Sequence, residues 1–272
     1  MTKAPGRSGG LLHGNKKKLC IEILTRLPLS SAEDGRNILQ LWAERLPTYL
    51  PERFGNWEPV DREFQLKETE SILRHWRRPF LATRNLPAME SAVWMRKQGL
   101  IQHSAWSLSF GAGEVDIVSL VQFVTKACCQ LKADFGCLTL LTDQEIELGL
   151  SNGTITKLDK RGTRFNFGIY SHQLQSYVPD FYWLTVLGEP YVAMFGRENL
   201  LSLPIARAEK LDENMVALQL TKSIEDIRNS IEFSKIKERV KDLLGKDAFF
   251  EVGHLGEYRR PHFVWSESPQ VC

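Results

Sequence analysis

Residues 105–141 constrain the fold of this chain more than any other stretch. In Ala105–Phe110, Trp106, Leu108 and Phe110 alternate with Ser107 and Ser109, the period-two pattern of a strand buried on one face. Gly111 and Gly113 break it, and Glu114 and Asp116 then put acid at the positive end of a helix. Apolar spacing predicts that helix over Val115–Lys132, with Ile117, Val118, Val121, Val124, Cys128 and Leu131 as its buried stripe. Phe135–Leu141 is a continuous apolar run of strand length. At 272 residues the chain is long enough to bury a substantial core around such a β-α-β unit.

Other elements follow from the same spacing rules. Leu19–Leu24 reads as a strand, Leu19, Ile21 and Ile23 facing one way and Cys20, Glu22 and Leu24 the other. Ser30 to Glu33 reads as a capping box that opens a helix with Ile38, Leu39, Trp42 and Leu46 on one face, closed by Pro47 and Pro51. Glu68–Arg77 predicts a short helix with Arg74, His75, Arg77 and Arg78 at its end, where the dipole favours cations. Phe181–Leu187 and Tyr191–Phe195 read as strands about the turn Gly188-Glu189-Pro190, followed by a short helix over Arg197–Leu203. A second β-α-β unit is expected from Met215–Leu220, Ile231–Leu244 and Ala248–Val252, the helix burying Ile236, Val240, Leu243 and Leu244 and stopping at Gly245. The fold class is therefore α+β, mainly antiparallel sheets covered by helices, with two β-α-β-containing halves. Residues 1–18 read as a flexible tail, 19–252 as one domain and 253–272 as a C-terminal tail. The two units leave open a division of that domain into similar halves, about 19–150 and 151–252.

The totals exclude several classes. A net charge of +2 lacks the excess expected of a nucleic-acid binder. No apolar run approaches the ~20 residues of a membrane span, and the N-terminus lacks a secretory apolar core. The five cysteines, Cys20, Cys128, Cys129, Cys137 and Cys272, show no C-x-x-C spacing, as expected of free, mostly buried thiols in the cytoplasm. None of the six histidines has helical zinc spacing, and His254 and His262 about Glu257 match no familiar ligand pattern. Asp143, Glu145 and Glu147 read either as a solvated acidic edge or as oxygen ligands for a divalent cation in a metal-dependent hydrolase. Gly111-Ala112-Gly113 lacks the phosphate-loop fingerprints. Lys16–Lys18 with Arg74, Arg77 and Arg78 offer a nucleic-acid reading, against solvated lead-in charges. No cofactor is implied.

Four segments carry a resemblance: LPERFGNWEP at 50–59, RRPFLATRN at 77–85, ADFGCLTLLT at 133–142 and PDFYWLTVLGEPYVAMFGRENLLSLP at 179–204. In this order the chain resembles the bacterial immunity proteins of polymorphic-toxin and type VI secretion systems, in particular immunity protein family fifty-two, over about residues 19–252. The resemblance implies an α+β protein that is no enzyme and that binds and blocks a cognate protein toxin in the producing cell. It transfers no catalytic residues.

For the partner surface, strand alternation sends Tyr182 and Trp183 to opposite faces. If that sheet is covered on one side, one of the two is an exposed aromatic anchor, with Asp180 and Glu189 as an acidic rim for a basic toxin cleft. If both faces are covered, both aromatics are core.

Overall fold

In the computed structural model, which describes residues 18–97, 100–111, 115–157, 165–254 and 256–265, the first strand lies near the middle of a ten-stranded antiparallel sheet. Its members in chain order are β1 (Lys18–Thr25), β2 (Arg53–Gly55), β3 (Arg62–Glu63), β4 (Phe80–Arg84), β5 (Met89–Trp94), β6 (Ser104–Phe110) and β7 (Ala133–Leu141). After a separate hairpin of β8 (Ile155–Lys157) and β9 (Phe165–Phe167) come β10 (Leu184–Leu187), β11 (Arg207–Asp212) and β12 (Met215–Gln219). The spatial order is β11-β12-β10-β7-β1-β6-β5-β4-β2-β3. One sheet thus runs through both of the halves suggested by the sequence.

The helices are α1 (Ala32–Arg45), α2 (Thr69–Leu73), α3 (Ile117–Gln130), α4 (Asp143–Asn152), α5 (Ser171–Ser176), α6 (Glu189–Phe195), α7 (Arg197–Leu201) and α8 (Ser230–Leu244). The β6-α3-β7 unit forms as the spacing predicts, with β1 inserted between the two strands and antiparallel to both. Its helix is rotated from the predicted stripe. Leu120, Phe123, Val124, Ala127 and Cys128 are buried, while Val118 is 65% exposed and Val121 half-buried. Phe123 and Trp42 of α1 both meet Trp106 edge-on, at 5.1 and 5.7 Å, so α1 and α3 cover one face of the sheet around that indole. Gly136 of β7 lets α3 approach, because a Cβ there would collide with Cys128 Sγ. The α1 capping box forms one residue later than predicted, between Ser31 and Asp34.

Leu19 to Thr25 of β1 are all buried, so the sheet is covered on both faces here. Toward β4, β5 and β6 the second face thins to the half-buried Leu81, Ala92, Ala105, Ser107 and Ser109. Two predicted strands are absent. Tyr191–Phe195 lies in α6, because Gly188 is the helix N-cap and Pro190 occupies its first turn, where a missing N–H costs nothing. Gly188 packs so close to β7 that a Cβ would strike the Ala133 carbonyl. Ala248–Val252 contributes only one bridge, Phe249 with Val178, after a 3-10 turn at Lys246–Ala248. The second β-α-β unit therefore lacks its return strand. The buried face of α8 is Phe233, Lys237, Val240 and Leu244, with Leu243 exposed. No helix among the described residues is long and apolar enough to cross a membrane.

Candidate functional site

The residues expected to form a partner surface are mostly interior. Asp180, Tyr182 and Trp183 are 2%, 3% and 2% exposed. Tyr182 meets Phe135 and Phe167 edge-on at 6.3 and 5.4 Å, because the sheet is covered on both faces where this segment crosses it. Asp180 lies 2.7 Å from Lys237 Nζ and 2.9 Å from Lys241 Nζ, and Glu145 lies 2.9 Å from Lys237. Desolvation pushes both carboxyls up. At Asp180 the two lysines outweigh it and hold the group below its ordinary value; at Glu145 burial prevails. Only Glu189 is exposed, and Arg26 neutralises it at 2.9 Å. The acidic rim is therefore absent: one member is a buried structural ion and the other is already paired.

The acidic trio does not converge. Asp143, Glu145 and Glu147 sit on α4, whose N-cap Thr142 accepts the Glu145 backbone N–H at 3.3 Å. Successive helical positions turn Glu145 inward to Lys237 and leave Asp143 and Glu147 outside. No group of three or more His, Cys, Asp or Glu among the described residues could hold a metal ion. Cys20, Cys128 and Cys137 are free and buried, and burial raises all three thiols, Cys20 to about 12, so they are poor nucleophiles. Cys272, Lys16, Lys17 and Gly113 lie outside the described residues, and Lys18 pairs with Glu90 at 3.8 Å.

One arrangement has the composition of a nucleophile triad. Asp134 Oδ2 lies 3.1 Å from His103 Nε2, and Ser171 Oγ lies 2.8 Å from His103 Nδ1. Its surroundings make it a clamp. Arg26 donates Nε to both Asp134 oxygens, at 3.1 and 3.0 Å, so the carboxylate is largely committed to a guanidinium. Ser171 Oγ also accepts the His103 backbone N–H at 3.1 Å and the Gln175 amide at 3.2 Å. Phe263 and Trp265 close over the imidazole, each 5.0 Å away edge-on. Arg26 Nη1 donates to the Val264 carbonyl at 2.7 Å, and Arg96 stacks over Trp265 at 5.6 Å. Residues 256–265, read from the sequence as tail, are thus bound to the body through this cluster and through Arg259, which donates to the Leu244 carbonyl.

A different corner presents large groups to solvent. Buried Asn56, just after β2, donates its amide to the carbonyls of His75, Arg77 and Pro79 at 3.1, 3.1 and 2.7 Å. Arg77 Nε returns to Asn56 Oδ1 at 3.4 Å. Phe54 stacks on Phe80 at 5.7 Å beneath them. The clamp fixes the 74–79 turn against the loop that carries Trp57, which is 75% exposed. Trp94, 44% exposed, ends β5 at the same end of the sheet, since Phe80 pairs with Val93 and Gly55 with Leu81. Arg62, Arg74, Arg77 and Arg78 surround this corner and are exposed. The helix predicted over Glu68–Arg77 is shorter, Thr69–Leu73, and the arginines lie in the turn beyond it. Sequence reasoning identified the arginines but missed Asn56 and Trp94.

No protein-family model matches the chain, and no curated protein does. Among solved structures it is similar to the Pseudomonas aeruginosa T6SS protein PA0821, at 12% identity and a TM-score of 0.49, over 92% of this chain and 79% of that one.

Proposed function

We propose that this chain is an immunity protein: a binding protein rather than an enzyme, which holds a cognate protein toxin inactive in the cytoplasm of the producing cell and needs no cofactor. The observation that carries this reading is how the four resembling segments are used. Residues 133–142 and 179–204 build the buried centre, through β7, β10 and α6. Residues 50–59 and 77–85 meet through Asn56 and present an exposed Trp–Arg corner. Tryptophan and arginine are the residue types most enriched where binding energy concentrates. An immobilised backbone beneath them lowers the ordering cost of association.

Co-expression with the toxin encoded beside it tests this reading. Protection of the host cell and co-purification of the two chains are expected. A toxin that kills at full strength and leaves no complex would overturn the proposal.

A further inference from the structure

The corner held by Asn56 has a sign as well as a shape. Arg62, Arg74, Arg77 and Arg78 are exposed around half-buried His75, and among the described residues none of the four forms an ion pair. Two neighbouring acids are already committed elsewhere. Glu70 lies 2.7 Å from Arg36, and Glu52 lies 3.7 Å from Arg84. The field of these arginines reaches His75, whose pKa is lowered by burial and then by Arg62, Arg77 and Arg74. Trp57, in the loop that Asn56 ties to the 74–79 turn, has 75% of its surface in water.

Resting on the binding function proposed above, we infer that this corner is the surface that grips the toxin, and that the toxin offers it a carboxylate-rich face. Arg77 and Arg78 take the carboxylates and the Trp57 indole buries against the apolar surface between them. This reverses the polarity of an acidic rim at Asp180 and Glu189. Planar guanidinium groups bind carboxylates in a fork, and desolvation beside an indole strengthens each contact. A nucleic acid fits less well. Glu58 and Asp61 share the loop with Trp57, and Glu63 and Glu68 stand exposed close by in sequence. A phosphate backbone carrying one charge per ~1.7 Å would meet those acids, whereas separate carboxylates on a protein can be placed between them.

The test uses the full chain and its co-expressed toxin, with binding followed by surface plasmon resonance. Trp57→Ala is expected to weaken the complex by at least about 30-fold, the scale of an interface hot spot. The charge reversal R77E/R78E should slow association about tenfold or more. It should also flatten the loss of association rate that wild type shows as NaCl rises from about 50 to about 500 mM. Arg239→Glu, on the exposed side of α8, is the control and should leave both readings unchanged. Unaltered melting temperatures verify that the variants are folded. A complex that forms but is indifferent to W57A and R77E/R78E overturns the corner and leaves the immunity function standing. Absence of any complex overturns both. Steeply salt-dependent binding of a single-stranded oligonucleotide by wild type, lost in R77E/R78E, would contradict the protein partner and assign the corner to nucleic acid.

Discussion

The Asn56 side-chain amide lies 2.7 Å from the Pro79 carbonyl oxygen, and so joins two segments that are 23 residues apart. Two amide hydrogens serve three carbonyls there, those of His75, Arg77 and Pro79. Asn56→Ala would leave the buried Pro79 carbonyl unsatisfied, at about 1–3 kcal/mol. Urea unfolding should show that loss, and exchange of the 74–79 amides should accelerate more than exchange in β1. Uniform exchange in the variant would show that the clamp does not hold the corner.

Phe123 and Trp106 meet edge-on at 5.1 Å with neither side chain exposed. Phe123→Ala should cost about 3–5 kcal/mol. Val121→Ala, at the half-buried border of α3, should cost about 1 kcal/mol or less. The ranking inverts the predicted stripe, in which Val121 was central. Equal destabilisation by the two changes would argue against the observed phase of the helix.

That phase error shows what periodicity can and cannot deliver. The positions of β1, α1, β6, α3 and β7 were legible because their apolar spacing changes from two to 3.6 at glycines or capping residues. The face of α3 was legible only in part: Val124 and Cys128 are buried as expected, but Val118 and Val121 are apolar residues bordering the exposed line of Gln122, Lys126 and Gln130, and were counted inside. The Gly188-Glu189-Pro190 turn signal is equally valid for a hairpin and for a helix start; here Gly188 is the N-cap and Pro190 sits in the first helical turn. The candidate site was the least legible part. Asn56 acts on backbone carbonyls, which carry no side-chain signature, and Trp57 is distinguished from a core tryptophan only by where the loop leaves it.

Lys237 is buried between Asp180 and Glu145, at 2.7 and 2.9 Å. Burial alone would lower its pKa, but the two carboxylates outweigh it and keep the ammonium charged. Lys237→Met should therefore cost about 3–5 kcal/mol by leaving buried carboxyls without their shared partner. Urea denaturation measures it, and a loss below about 1 kcal/mol would show that the charges are not confined as described.

Glu22 lies inside the sheet with Ser107 Oγ at 3.0 Å from Oε2. Burial raises its carboxyl from the model-compound value of 4.5 to about 8, and the Ser107 hydrogen bond offsets only part of this. The native state therefore holds this proton more tightly than the unfolded chain does. Its contribution to stability is full below pH 4.5 and is lost as pH rises through about 8. Glu22→Gln should remove that component, and the variant should gain stability relative to wild type between pH 6 and pH 9, by a few kcal/mol at ~1.4 kcal/mol per unit of pKa shift. Identical pH slopes for the two proteins would contradict an ionisable Glu22 in the core.

Hydrogen–deuterium exchange of the chain, free and in the presence of excess cognate toxin, tests most directly the claim that it is a toxin-binding protein acting through the Asn56 corner. Slowed exchange is expected at residues 56–62, 74–79 and 93–95, with α8 unchanged. Exchange that is the same everywhere with and without the toxin would contradict it.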